Sequence, residues 1–112
     1  MPFDLEFTVT GSPSNVARTI EAYAEDQRSV NAIVVPWESD ATTLSMSVTS
    51  VKIDGWAIEH TNLGTIRLTG LQDDQTLVRF APDEPDHPDR QQLLALFNRF
   101  AQQVRGRFTA AS

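Results

Sequence analysis

Apolar and polar positions change their spacing several times along the chain, and each change marks an element. From Phe3 to Thr10 they alternate, with Phe3, Leu5, Phe7 and Val9 on one side and Asp4, Glu6, Thr8 and Thr10 on the other. A period of two predicts a half-buried strand with a wet outer face. Gly11 breaks it, Ser12 can cap a helix, Pro13 suits the first helical position, and Val16, Ala17, Ile20, Tyr23 and Ala24 recur at helical spacing. A first helix is therefore expected to run to about Asp26. AIVVPW at 32–37 is a short β-branched run in which Pro36 cannot donate to a ladder, which predicts an edge strand or a bulge. Glu38, Ser39 and Asp40 predict a turn. Leu44, Met46 and Val48 then alternate with serine and threonine, and Val51 and Ile53 continue one residue out of phase. That shift predicts a bulge or a tight turn at Thr49 and Ser50, of which the turn is the preferred reading.

Asp54-Gly55 is a hairpin dipeptide, after which Trp56 and Ile58 resume the alternation. HTNLG, from His60 to Gly64, reads as a polar turn because Asn62 and Gly64 tolerate left-handed conformations. Ile66 and Leu68 predict the next strand and Asp73-Asp74 a turn. Thr76, Val78 and Phe80, or the opposite set Leu77 and Arg79, predict the last strand. From Pro88 to about Phe108 the spacing becomes helical. Projected at about 100° per residue, Leu93, Leu94, Leu96, Phe97, Phe100, Ala101, Val104 and Phe108 fall in one stripe and Gln92, Arg99, Gln102 and Gln103 fall opposite. Pro88 and Asp89 suit its start, and Arg99, Arg105 and Arg107 gather toward its end.

An antiparallel sheet with one apolar face needs a cover, and the two helices carry the apolar stripes that can supply it. The expected architecture is a single α+β domain, 1–112. It has an antiparallel meander of about six strands in the order β-α-β-β-β-β-β-α, with the long C-terminal helix packed on the apolar face. A length of 112 residues with 40% hydrophobic content suits one core. No apolar run approaches the roughly 18 residues of a membrane span, and MPFDLEFTVTG lacks a basic segment followed by an apolar one, so a cytoplasmic location is expected. The absence of cysteine removes disulfide scaffolds, thiolate zinc sites and thiol nucleophiles. A net charge of −6 repels phosphate backbones, so nucleic acid is not an expected partner.

Candidate chemistry is sparse. Phosphate-loop, dinucleotide, zincin, nucleophile-elbow and calcium-loop patterns are all missing, which weighs against an enzyme and names no catalytic residue. Asp83, Glu84, Asp86, His87 and Asp89 form the densest ligand-like cluster, but Pro82, Pro85 and Pro88 splay it, and a calcium site needs about six convergent oxygens. The cluster reads as a solvated loop, and neither metal nor cofactor is expected. Glu59 beside His60 offers an acid/base pair, although neighbours on a strand point to opposite faces. Tyr23, Trp37 and Trp56 are large side chains with one polar atom each. On a curled sheet they can line a pocket with Met46 and Phe100 and grip an apolar ligand, or they can simply fill a small core.

The run G-x-I-x-L-x-x-L-x-D-x-x-T-x-V-x-F from Gly64 to Phe80, followed by a proline-containing loop and an amphipathic helix, resembles the helix-grip superfamily of START-like and polyketide-cyclase-like proteins. The resemblance implies a sheet wrapped round the long helix with an apolar ligand between them. This chain departs from the pattern in being short and in having one helix, not two, before the meander. The function favoured by these features is a small non-enzymatic binding module for an apolar small molecule or a protein partner, monomeric or homodimeric. The alternatives are a cyclase-like or dimeric α+β-barrel enzyme using a pocket acid/base, and an assembly or regulatory protein that makes contact through the Pro36 edge strand or an exposed part of the apolar stripe.

Overall fold

The computed structural model describes residues 5–27, 30–40, 42–82 and 90–110. In chain order these form β1 (Leu5–Thr10), α1 (Pro13–Gln27), β2 (Val30–Val34), a 3-10 turn (Pro36–Glu38), β3 (Thr43–Asp54), β4 (Ala57–Gly70), β5 (Gln75–Pro82) and α2 (Arg90–Ala110). Among the described residues the five strands make one sheet in the order β1-β5-β4-β3-β2, and every neighbouring pair is antiparallel. The fold is α+β, with the C-terminal helix on the sheet's apolar side.

The start of α1 follows the local signals. The Asn15 N–H donates to the Ser12 hydroxyl at 3.3 Å, satisfying one of the donors that a helix start leaves unpaired. Pro13 opens the helix at no hydrogen-bond cost. Because α1 joins strands at opposite edges of the sheet, it crosses the sheet's face and buries Val16, Ala17, Ile20 and Ala24 there. Pro36 ends the ladder of β2 and begins the 3-10 turn, so the proline acts just beyond an edge strand.

The sheet has five strands, in line with the expected six or so, although two anticipated turns are absent. β3 runs unbroken through Thr49 and Ser50, and HTNLG lies inside β4. The out-of-phase pattern comes from a bulge instead. Val48 pairs with Gly64 but Thr49 pairs with Asn62, which leaves Leu63 without a partner on β3. Gly64 is required for close approach: a Cβ there would lie 2.5 Å from the Ala81 carbonyl oxygen and 2.7 Å from Cζ of Phe97. The hairpin at Asp54-Gly55 is displaced by one residue. Asp54 pairs with Ala57, so the two-residue loop is Gly55–Trp56, with Gly55 supplying the left-handed φ of 61°.

The core forms where both helices meet the sheet. Met46, Ile66, Leu68, Val78 and Phe80 rise from the strands to meet Ile20 from α1 and Phe97, Phe100 and Val104 from α2. Phe80 lies edge-on to Phe97 at 5.9 Å and to Phe100 at 6.5 Å, an arrangement that aromatic quadrupoles favour. Thr76, a polar residue on this face, is tolerated because its hydroxyl donates to the Gly11 carbonyl at 2.6 Å. Pro88, Asp89 and the acid-rich cluster from Asp83 lie outside the described residues.

Candidate functional site

The five side chains expected to share a pocket are spread over the molecule. Tyr23 and Phe100 do meet, with ring centroids 5.8 Å apart, and the Arg107 guanidinium lies 5.5 Å from the centre of the Tyr23 ring. Met46 is fully buried in the core. Trp37, carried away from the sheet by the turn that Pro36 starts, is 84% exposed. Trp56 is fully exposed because it occupies the hairpin loop and not the strand position that alternation assigned it. A small concavity of about 110 Å³ beside Phe100 is lined by Gln27, Val30, Leu96, Arg99 and Gln103. That is below the roughly 150 Å³ that admits benzene.

Beyond the bulge, β3 and β4 continue as a two-stranded arm. Among the described residues, β2 pairs with β3 no further than Ser50, and β5 pairs with β4 no further than Gly64. The arm also reverses the sheet's polarity. Residues paired in an antiparallel ladder share a face, so Ser50 with Thr61 and Lys52 with Glu59 continue the side that the helices cover. Val51 with His60, and Ile58, fall on the opposite side. Alternation alone would place Ile58 with Ile66, because an even number of residues separates them. The extra residue at Leu63 puts them on opposite faces, leaving Ile66 fully buried and Ile58 62% exposed. Apolar surface that faces the helices in the body of the sheet thus faces away from them in the arm. Sequence alternation showed the phase change in β3, but the bulge that matches β4 to it was hidden in a segment that read as a turn.

Glu59 and His60 are both exposed and sit on opposite faces of the arm. Among the described residues no three His, Asp or Glu side chains are grouped to hold a metal, and no helix is long and apolar enough to cross a membrane.

On the side of the sheet away from the helices, a concavity of about 430 Å³ is lined by Glu38, Ser45, Thr65, Arg67, Arg79 and Ala81. Its rim is fixed by the segment after β2. The Ser39 hydroxyl donates to the Val35 carbonyl at 2.8 Å and accepts from the Ser45 N–H at 3.2 Å, and the Ser45 hydroxyl donates to the Glu38 carbonyl at 3.3 Å. Asp40 accepts from the N–H groups of Thr42 and Thr43, each at 2.8 Å, and from the Thr42 hydroxyl at 3.2 Å. These bonds, with a smaller contribution from the Arg67 charge, hold its carboxyl below the ordinary value of 3.8. Sequence reading missed this site because Arg67 and Arg79, twelve positions apart in the chain by their numbers, are joined only by strand register.

The geometry defines an α+β protein with two helices on one face of a five-stranded antiparallel sheet, a protruding arm and an open, charged opposite face. No family model matches the chain, and no curated protein matches it. Among solved structures it is similar to a protein of Cytophaga hutchinsonii whose solution structure was a structural genomics target. The identity is 13%, the match covers 95% of this chain and 93% of that one, and the TM-score is 0.33. A likeness at that level carries no argument about function.

Proposed function

We propose that the chain is a non-enzymatic interaction module whose protein partner adds an extended, basic segment to the arm of β3 and β4. The carrying observation is the arm itself, which turns Ile58 away from the helices and places Trp56 fully in solvent at its tip. Exposed strand edges beside large apolar side chains recruit further strands. Main-chain hydrogen bonds then supply affinity, and alternate side-chain contacts supply selectivity. The net charge of −6 repels a second copy of the chain and attracts a basic partner. Close packing of Phe97 on Gly64 under α2 supports a protein in preference to a small molecule lodged between helix and sheet. The helix-grip resemblance remains part of this proposal, supported by a long C-terminal helix lying across the apolar side of a meander. The placement of Glu59 and His60 on opposite faces favours binding over acid/base catalysis.

A Trp37→Phe background leaves Trp56 as the single tryptophan reporter. Titration with synthetic peptides of alternating valine flanked by lysine is expected to shift Trp56 emission to the blue. It should also slow hydrogen exchange of the amides from 57 to 63. Trp56→Ala is expected to weaken that binding about tenfold or more, as for a buried aromatic anchor. Unchanged exchange with every peptide overturns the proposal. So does a concentration-dependent dimer that protects the same amides without peptide, since the occupant would then be a second copy.

A further inference from the structure

At the end of β3 remote from the arm, a hollow of about 260 Å³ lies beside α1, lined by Ser14, Ala17, Arg18, Glu21, Val34 and Leu44. Its floor is apolar, and register explains why. Val34 pairs with Met46, and Leu44 stands two residues before Met46 on β3, so both belong to the side that the helices cover. Ala17, only 3% exposed, closes the floor from the helix. The wall is polar and follows from helical spacing. Ser14, Ala17, Arg18 and Glu21 recur at i, i+3, i+4 and i+7, one stripe of α1 running along the sheet. Arg18 is exposed and Glu21 half-buried, one turn apart, which sets their Cβ atoms about 5–6 Å from each other. Opposite charges at that spacing commonly pair, yet neither makes an ion pair among the described residues. An apolar floor thus carries one positive and one negative group side by side on its wall.

We propose that this hollow binds a small aliphatic zwitterion of the α-amino acid type, with its carboxylate on Arg18, its ammonium on Glu21 and its hydrocarbon on Ala17, Val34 and Leu44. Each part of the molecule answers one part of the lining. The guanidinium fork matches a carboxylate with two parallel N–H donors, and the Glu21 carboxylate accepts from an ammonium. Hydrocarbon laid on the floor removes apolar surface from water. The volume exceeds the roughly 150 Å³ that admits benzene, so a branched aliphatic side chain fits. A simple anion meets repulsion from Glu21 and a simple cation meets it from Arg18, which selects a molecule carrying both charges. The site lies apart from the arm and does not rest on strand addition there.

Titration of the full chain with L-leucine, followed residue by residue by amide NMR, tests this. Glycine, isocaproate and isoamylamine serve as probes that each lack one of the three parts. Saturable shifts are expected from leucine at Ala17, Arg18, Glu21, Val34 and Leu44, with each partial probe binding about tenfold or more weaker. Arg18→Gln and Glu21→Gln should each weaken leucine by a similar factor, while Arg99→Gln, on the exposed face of α2, should leave it unchanged. Thermal midpoints of the variants should stay close to the parent's, because surface charges without an ion pair carry little stability. Leucine shifts that fail to saturate, that survive both α1 substitutions, or that a partial probe reproduces at equal affinity overturn the site.

Discussion

β3 and β4 run through both the body of the sheet and its arm, yet the two stretches end in opposite relations to water. In the body, Met46 and Ile66 pair across β3 and β4 and are fully buried under the helices. In the arm, the same strands carry Ile58 and Trp56 into solvent. The difference lies in what covers each face and not in residue type. A β-branched residue on a strand is core only where a helix meets it, and the helices reach the body alone.

The largest effect that sharpens this contrast is in the body. Phe100→Ala removes a ring that touches Tyr23 and Phe80 in a site only 2% exposed, and is expected to cost about 3–5 kcal/mol in chemical denaturation. A cost near zero would mean that α2 does not seal the body. Gly64→Ala, at the point where the arm departs, introduces a Cβ that must displace the Ala81 carbonyl or the Phe97 ring. It is expected to cost about 1–3 kcal/mol by the same measurement.

Asp40 gives a smaller, pH-dependent effect. Its carboxyl is held below the ordinary value, so its contribution to stability is fully present above that value and is lost as pH falls through the lower folded one. Thermal melts from about pH 6 to about pH 2 are therefore expected to show Asp40→Asn less stable at the upper end, with the difference closing in acid. The smallest effect is on the arm. Trp56→Ala should change stability by no more than about 0.5 kcal/mol, because a fully exposed side chain has no packing to lose. A large loss there would break the contrast, showing that the tip is covered in the native state.

Much of the fold was legible in the sequence wherever one physical signal had one meaning. Ser12-Pro13 marked the start of α1, and the stripe through Phe97, Phe100 and Val104 marked the buried face of α2. Glycine was the ambiguous signal. Gly55 is a loop residue with positive φ, as its place in the hairpin dipeptide implied. Gly64 sits in a strand because a neighbouring backbone and a ring press against it, and residues 60 to 64 alone do not tell that cause from a turn. A related ambiguity misplaced Trp56. Shifting the hairpin loop by one residue moved Trp56 from a strand face to the tip, which removed it from the expected pocket. The arginine pair was illegible for another reason. Pairing across β4 and β5 depends on a register that local patterns do not encode, so the open-face hollow emerges only once the strands are aligned.

The unpaired Leu63 also has a bearing on direction. What the projecting ribbon displays is set by its ladder, in which Ser50 stands opposite Thr61 and Val51 opposite His60. Where the ribbon points is set by the added coil that a bulge introduces. Heading and display are therefore separable: excising residue 63 re-aims the ribbon while its oily side stays the same, making one backbone unit the steering element for whatever approaches the tip.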